Sequence, residues 1–183
     1  MTTQYLENMI EVNTEEPSKH WGYVSCKDEV VVDLGCGRWE HVEYRDPTWP
    51  TTPEYFVQLG AKMVYAFDVD PNEIEWFNQN ICNKHPVYAE TKHIHSVLDV
   101  RTILRTCNPS VVKCDIEKHE SAFLSLEDFE FRSVRMYAIE THSDELFDRF
   151  IQKFITLNYK ITTVIDLIHA RPMKVIFAER IDV

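Results

Sequence analysis

The stretch Val30-Val31-Val32-Asp33-Leu34-Gly35-Cys36-Gly37 decides the fold. Its run of β-branched residues is typical of a strand that is buried on both faces, as strands are in a parallel sheet. The two glycines that follow predict a tight turn at which the backbone can approach a ligand closely. The chain has 183 residues and only 4 glycines. Two glycines this close together therefore indicate that the turn requires glycine at both positions.

Similar apolar runs recur along the chain, and most are separated by enough residues for a helix. They lie at Val64–Asp68, Val87–Ala89, Val111–Asp115, Met136–Glu140, Ile161–Leu167 and Val175–Ala178. The connection between the last two is too short for a helical crossover, which predicts that these two strands pair antiparallel. Strands that alternate with helices and end in a hairpin are typical of an open α/β sheet.

Capping residues mark the helices between these strands. Asp70 is followed by Pro71, a pair that predicts an N-cap and the first helical position. Asp99 and Ser143 occupy comparable places before two further amphipathic stretches. Asn158, after the second of these, fits the left-handed position that ends a helix.

Composition narrows the class of protein. With 44% hydrophobic residues the chain can bury a sizeable core, and its length suits one domain over residues 1–183, with residues 1–26 as an N-terminal cap segment. The formal net charge of −11 makes nucleic acid an unexpected partner, because phosphate binding depends largely on Lys and Arg.

The lengths of the apolar runs and the spacing of the cysteines predict where in the cell the protein is found. No run approaches the roughly 20 residues that span a bilayer, and the N-terminus lacks the pattern of a secretory signal, so we expect no membrane partner. The 5 cysteines form no C-x-x-C pair, which favours the reducing cytoplasm over a disulfide framework or a structural zinc site.

Polar residues follow four of the predicted strands. In an open α/β sheet, ligands bind outside the carboxyl ends of the strands, where the strand order reverses. The residues at these ends are Asp33, Gly35 and Gly37, then Asp68, then Lys113, Asp115 and Glu117, and then Glu140 and His142. The alternation within the last two groups predicts that their side chains share a face. We expect a nucleoside site beside a polar reaction site, although an ion pair at the end of the sheet would also explain the charges after the fourth strand.

Two nucleoside cosubstrates fit this arrangement to different degrees. A nicotinamide cofactor needs a G-x-G-x-x-G turn for its pyrophosphate, but Glu40 occupies the third glycine position. Asp33 would also repel phosphates. S-adenosylmethionine carries a sulfonium and an ammonium group and no phosphate, so an acidic residue suits it better.

The same residues resemble motifs of the FkbM family of class I S-adenosylmethionine-dependent methyltransferases. VVVDLGCG is similar to the first class I motif. The finer matches are Lys113-Cys-Asp115-Ile-Glu117-Lys-His-Glu120, Leu98-Asp99, Ile139-Glu140-Thr-His142, Leu157-Asn158-Tyr159 and Phe177-Ala178-Glu179-Arg180, in the family's order. This resemblance implies a Rossmann-like fold with a mostly parallel seven-stranded sheet, a C-terminal antiparallel hairpin strand and helices on both faces.

The resemblance also implies roles for residues. Asp33, Gly35, Cys36 and Gly37 would hold the amino-acid end of S-adenosylmethionine, and Asp68, Val69 and Asp99 would complete the cosubstrate site. Lys113, Asp115, Glu117, Glu140 and His142 would form the catalytic site around the acceptor. From the residues alone, a small buried side chain is the better interpretation of Cys36.

The expected reaction is O-methylation of a hydroxyl on a small molecule or sugar. Asp115 or His142 would accept the proton of that hydroxyl. A divalent metal held by Asp115, Glu117, Glu140 and His142 is chemically reasonable, but plain acid–base chemistry needs no ion, and we expect no metal. A homo-oligomer is compatible with so small a catalytic core.

Two alternatives stay open from the sequence. Trp39 and Lys118 replace glycines of the family, so the chain could be an inactive S-adenosylmethionine-binding or interaction protein. A ribose 2′-O-methyltransferase of nucleic acid is the other alternative, and the net charge weighs against it.

Overall fold

The computed structural model describes residues 9–12, 16–37, 48–117, 119–168 and 172–181. Within these residues the strands are β1 (Met9–Val12), β2 (Val30–Leu34), β3 (Met63–Asp68), β4 (Val87–Thr91), β5 (Val111–Cys114), β6 (Met136–Thr141), β7 (Tyr159–Ile168) and β8 (Pro172–Arg180). The helices are α1 (Pro17–His20), α2 (Thr52–Gln58), α3 (Pro71–Asn80), α4 (Val97–Cys107), α5 (Ser121–Leu124), α6 (Asp128–Phe131) and α7 (Asp144–Thr156).

The strands form one mixed sheet in the order β1-β7-β8-β6-β5-β2-β3-β4. Neighbouring strands from β6 to β4 run parallel, and β8 pairs antiparallel with both β6 and β7. The chain builds outward from β2 to β4 and then returns to place β5 on the other side of β2. The order of the strands therefore reverses between β2 and β5, and this reversal positions the site. The predicted Rossmann-like fold with an antiparallel C-terminal strand is confirmed.

Among the described residues the sheet has eight strands rather than the predicted seven. The additional strand β1 pairs in parallel with Val164–Leu167 at the outer edge of β7. Its four residues are too few to show a pattern in the sequence, and they are only partly buried. The segment predicted as a cap also contributes to the core, because Trp21, Val24 and Cys26 are buried against the sheet.

Helices cover both faces of the sheet, as expected. On β2, Val32 and Leu34 pack on one face together with side chains of α4, α5, α6 and α7. Val31 packs on the other face together with Phe56 of α2 and Phe77 of α3. The strands are apolar on both faces because both faces are covered, which is why they read as continuous apolar runs.

The capping predictions are confirmed at three of four positions. Asp70 accepts a hydrogen bond from the Asn72 N–H, and Ser143 caps α7 through the Leu146 N–H. Asn158 has the left-handed conformation, with φ of 63°. Asp99 is not an N-cap; α4 begins two residues earlier, at Val97, and its N-cap is Ser96. None of the helices in the described ranges has the length and hydropathy needed to span a bilayer.

Candidate functional site

The carboxyl ends of β2, β3, β5 and β6 meet at one edge of the sheet because these strands are parallel. A cavity of about 410 Å³ opens there, a volume in the range of small-molecule sites. The predicted site residues that line it are Gly35, Gly37, Asp68, Val69, Asp115 and Glu117. The cavity therefore lies where the sequence places a ligand.

The glycine turn after β2 is held against two neighbouring strands. Gly35 has a φ of 75°, and a Cβ atom at this position would lie 1.7 Å from the main-chain oxygen of Asp115. The Gly37 N–H donates a 2.8 Å hydrogen bond to Asp68 Oδ2, and the other oxygen of Asp68 accepts from the Asp70 N–H at 3.0 Å. The turn and the acid after β3 thus form one wall of the cavity.

Asp33 and Lys113 lie beneath this turn rather than in the cavity, which corrects the roles predicted for both. Neither side chain is more than 1% exposed, and the Lys113 Nζ lies 3.1 Å from Asp33 Oδ1. The same ammonium donates to the main-chain oxygens of Gly35 at 2.6 Å and Leu34 at 3.3 Å. The Asp33–Lys113 pair therefore fixes the turn from below. Burial raises the pKa of the Asp33 carboxyl, although the Lys113 charge opposes this.

Three further residues predicted to bind the cosubstrate have different positions. Cys36 is fully buried in the core, and this burial raises the pKa of its thiol well above the usual value. Asp99 does not line the cavity, because its carboxylate accepts hydrogen bonds from Ser96 at the start of α4. Val69 is 60% exposed and does line the cavity, so of the three only Val69 is within reach of a ligand.

The ends of β5 and β6 bring together a second group of charged side chains, which we call the acidic cluster: Asp115, Glu117, Glu120, Glu140 and His142. His142 stands at its centre. Its Nδ1 lies 2.9 Å from Glu120 Oε1, and its Nε2 lies 3.4 Å from Glu140 Oε1, 3.6 Å from Glu117 Oε2 and 3.9 Å from Asp115 Oδ1. Only Glu117, at 49%, is substantially exposed. Four of the five predicted catalytic residues therefore meet, and Lys113 borders them, with its Nζ 3.9 Å from Asp115 Oδ2.

The environment pushes the pKa values of the two buried strand-end carboxyls apart. Burial, followed by the Glu140 charge, raises the pKa of Asp115 to about 8. Burial also works against ionisation of Glu140, but its contacts with His142 and His20 outweigh that and lower its pKa. The pKa of the neighbouring His142 is shifted as well. Burial lowers it, but contacts with Glu120 and Glu140 outweigh the burial and raise the pKa to about 10. Near neutral pH, Asp115 can therefore exchange a proton while Glu140 stays ionised.

His20 completes this region and was missed from the sequence. It comes from α1, its ring stacks on Trp21 at a centroid distance of 4.5 Å, and its Nε2 lies 2.8 Å from Glu140 Oε2. It stands 120 positions from its partner, and α1 has only four residues. A short helix without a hydrophobic pattern carries no signal of such a contact. Trp39 and Lys118, on which the expectation of an inactive protein rested, lie outside the described residues.

Comparison with known proteins identifies the fold class. No protein-family model and no curated protein matches the chain. Among solved structures, Sp1610 of Streptococcus pneumoniae, provisionally described as a tRNA (m1A22) methyltransferase, matches with a TM-score of 0.60 and 14% identity over 94% of this chain and 73% of that one. Aeropyrum pernix fibrillarin, solved with natively bound S-adenosyl-L-methionine, matches with a TM-score of 0.56 and 13% identity over 84% of this chain and 67% of that one.

A third structure, M. jannaschii tRNA m1G37 methyltransferase, matches with a TM-score of 0.56 and 19% identity over 91% of this chain and 49% of that one. Together these neighbours show that the chain has the Rossmann-like fold of class I methyltransferases. The cosubstrate expected from the sequence is the one bound in the fibrillarin neighbour. None of the three is described as an FkbM protein, so that finer resemblance stays a prediction, as does the cytoplasmic location.

The neighbours contradict the partners predicted from the sequence, which were a small-molecule or sugar acceptor, with nucleic acid unlikely. Two of the three are described as transfer-RNA methyltransferases. The prediction failed because it relied on net charge. Net charge averages over the whole surface, whereas an acceptor meets only the local charges around the site.

Proposed function

We propose that this chain is an S-adenosylmethionine-dependent methyltransferase that modifies a hydroxyl group of an RNA. The assignment of the cosubstrate rests on one observation, the hydrogen bond from the Gly37 N–H to Asp68 beside the turn at Gly35. It places a glycine turn and a strand-end carboxylate on one wall of a cavity where the strand order reverses. Nucleoside ligands of open α/β sheets bind at such a point.

The charges around the cavity favour S-adenosylmethionine over a nucleotide cofactor. Of the lining residues, those with carboxylates are Asp68, Asp70, Glu73, Asp115 and Glu117, whereas Lys92 is the one with an amino group. A pyrophosphate would meet repulsion in such a cavity. A ligand with a sulfonium and an ammonium group is attracted, and its neutral adenosine portion is tolerated.

The lining also suits the uncharged parts of the cosubstrate. Each oxygen of Asp68 already accepts one hydrogen bond, and a carboxylate oxygen can accept two, so the pair can still bind the two hydroxyls of a ribose. Phe67, Ile94 and Ile116 add apolar surface on which an adenine ring can lie. The FkbM resemblance supports the same assignment, since its D-x-E and E-x-H segments meet in the acidic cluster.

The acceptor part of the proposal rests on the cluster and on the neighbours. A hydroxyl oxygen is a weak nucleophile until its proton is removed, and Asp115 and Glu117 place carboxylates at the cavity wall that can accept this proton. Two neighbours are described as transfer-RNA enzymes. Lys92, His93 and His119 line the same cavity and are the groups that would meet a phosphate there.

Cosubstrate binding is tested by calorimetric titration with S-adenosylmethionine and with S-adenosylhomocysteine. We expect micromolar binding to the wild type and a roughly tenfold to hundredfold loss in Asp68→Asn, which removes charge-assisted hydrogen bonds worth about 1.5–3 kcal/mol. Glu75→Gln removes the same charge from an exposed position on α3 and should bind as the wild type does. Equal affinities in both variants would refute the assignment of Asp68.

The acceptor is tested by transfer of labelled methyl groups into purified RNA fractions and, in parallel, into protein fractions. We expect label in RNA, with ribose 2′-O-methylation detected after nuclease digestion. A shallow dependence of RNA affinity on salt is expected, because an acidic protein with few cations at its site releases few counterions. Label in protein alone would reject RNA as the acceptor but would leave the cosubstrate assignment intact.

A further inference from the structure

We propose that Asp115, Glu140 and His142 bind a divalent first-row metal ion, such as Mn²⁺ or Zn²⁺, at the carboxyl ends of β5 and β6. This differs from the expectation, based on the sequence, that the site works without a metal. It deepens the proposed function at the same site, and only its consequence for the reaction rests on that function. Binding of the ion itself requires neither cosubstrate nor acceptor.

The spacing of the donor atoms is the first argument. One oxygen from each carboxylate and one nitrogen of His142 all lie within 4.8 Å of one another. His142 Nε2 stands 3.4 Å from Glu140 Oε1 and 3.9 Å from Asp115 Oδ1, beyond the usual length of a hydrogen bond. Ligands about 2.1 Å from a tetrahedral ion are about 3.4 Å from one another, so the 3.4 Å and 3.9 Å separations are close to those of bound ligands and a small inward movement of the carboxylates would complete the site.

Two of these atoms are buried and lack a hydrogen-bond partner among the described residues. They are Asp115 Oδ1 and His142 Nε2. The side chains that carry them are 7% and 2% exposed, and the two atoms lie 3.9 Å apart. Buried polar atoms are nearly always paired, and each exception calls for a specific explanation, such as an ion. A cation at the centre would pair with both atoms at once.

The surroundings of the donors have the arrangement that metal sites use to hold their ligands. Glu120 Oε1 lies 2.9 Å from His142 Nδ1, where its charge favours a proton on that nitrogen once Nε2 gives up its own proton to bind an ion. His20 Nε2 contacts the second oxygen of Glu140 at 2.8 Å and orients that carboxylate. An outer carboxylate on the ligating histidine is a feature that a plain ion pair does not need.

The position of the cluster gives the ion access to a substrate. Asp115 and Glu117 line the cavity, and the Glu117 carboxylate is half-exposed, with Oε2 3.6 Å from His142 Nε2. Glu117 can therefore bind the ion as a fourth ligand, or an acceptor oxygen can occupy that coordination position instead. Two carboxylates with one imidazole favour Mn²⁺, Fe²⁺, Co²⁺ or Zn²⁺ over Ca²⁺, which prefers oxygen ligands alone.

The ion would assist the transfer as a Lewis acid. An acceptor hydroxyl bound to it loses its proton more readily, and the proton passes to a neighbouring carboxylate or to water. The oxygen then forms the new bond to the methyl carbon, the carbon–sulfur bond breaks, and its electron pair stays on sulfur, which gives S-adenosylhomocysteine. No oxidant or reductant is involved.

The test is calorimetric titration of the full chain, stripped with a chelator and free of S-adenosylmethionine, with MnCl₂ and with ZnCl₂. We expect one site per chain with a micromolar or tighter Kd. Affinity should fall at least a hundredfold in His142→Asn and Asp115→Asn, and about tenfold to a hundredfold in Glu120→Gln, which keeps all direct ligands. Failure of the wild type to bind, or unchanged binding in all three variants, overturns the proposal.

A matched control separates this site from nearby imidazoles. His93, His95 and His119 have ring centroids 4.7–6.4 Å apart and are the obvious rival ligands. The variant His95→Asn, which removes the imidazole in contact with both of the others and does not line the cavity, should bind the ion as the wild type does. If its affinity falls instead, the ion belongs to those histidines and the proposal is wrong.

Spectroscopy on the wild type keeps the test decisive even if the cluster variants do not fold. In the Cu²⁺-substituted protein, electron paramagnetic resonance should show coupling to a single imidazole nitrogen, that of His142. Coupling to two or more imidazoles would overturn the assignment. Since none of these measurements uses S-adenosylmethionine, a failure of the proposed function would leave their outcome unchanged.

Discussion

Two groups of buried charges stand side by side at the same edge of the sheet, and they are built differently. In the Asp33–Lys113 pair, the ammonium contacts the carboxylate at 3.1 Å and also serves two main-chain oxygens of the turn. In the acidic cluster, three carboxylates lie 3.4–3.9 Å from Nε2 of His142, and Asp115 Oδ1 and both ring nitrogens of His142 are buried without a hydrogen bond of normal geometry among the described residues. A balanced pair supports structure. A group of side chains with surplus negative charge is a candidate binding site for a cationic ligand.

The largest effect is expected when the balanced pair is broken. Lys113→Met should lower the free energy of unfolding by about 3–5 kcal/mol, because it leaves the Asp33 carboxylate buried without its cation. It also removes the donor that holds the oxygens of Leu34 and Gly35. Urea unfolding followed by circular dichroism measures the loss.

The control for this variant is Asp33→Asn/Lys113→Met, which removes both charges. We expect it to recover much of the lost stability, since replacing a buried pair by neutral groups is often close to neutral. A loss of less than about 1 kcal/mol in Lys113→Met would show that the pair does not support the turn, and the contrast between the two groups would disappear.

The next effect concerns the turn that both groups border. Gly35→Ala should cost about 2–4 kcal/mol, because it combines strain at a φ of 75° with a Cβ atom 1.7 Å from a main-chain oxygen. Gly60→Ala is the matched control. Its φ is 92°, but its Cβ would lie 3.3 Å from Cγ of the flexible Lys27 side chain and in ordinary contact, at 3.6 Å, with the Lys27 Cα. We expect a cost of about 1 kcal/mol there, from strain alone.

The two glycine variants also differ in what they should do to binding. Gly35→Ala should abolish S-adenosylmethionine binding, whereas Gly60→Ala, at the other end of the neighbouring strand, should leave it unchanged. Equal costs in thermal unfolding for the two would mean that the turn at Gly35 yields to the added methyl group, and that close packing of the turn on Asp115 is not required.

The position of the cavity was predictable because it depends on a general property of the fold. Parallel strands bring their carboxyl ends to one edge, so Gly37 and Asp68 had to be neighbours once both strands were recognised. The same reasoning brought Asp115 and Glu140 together. The signal for each was a polar residue directly after an apolar run, and it needed no knowledge of side-chain packing.

The directions of individual side chains were less predictable. Alternation suggested that Lys113, Asp115 and Glu117 share a face, but β5 ends at Cys114, and Glu117 adopts a φ of 50°. The rule of alternation stops applying where the strand does. Lys113 consequently points beneath the turn and Glu117 toward the cavity. The contact of His20 with Glu140 depends on the tertiary fold alone, which a local pattern cannot encode.

The smallest expected effect concerns Glu117 in the acidic cluster. Glu117 has a left-handed backbone that favours glycine, and its charge adds to the surplus around His142. Glu117→Gly should therefore raise the free energy of unfolding of the metal-free protein by up to about 1 kcal/mol. Guanidinium unfolding in the presence of a chelator measures the gain.

Asp28→Gly is the matched control for that gain. Asp28 is also an acidic residue with a left-handed φ, of 61°, but it is exposed and precedes the opposite end of β2. Both variants should gain from relief of backbone strain, and Glu117→Gly should gain more because it also removes a charge from a crowded acidic group. Only Glu117→Gly should also weaken binding of a metal ion. Equal gains with unchanged metal affinity would mean that Glu117 is simply strained, and that the surplus of charge in the cluster comes from its other carboxylates.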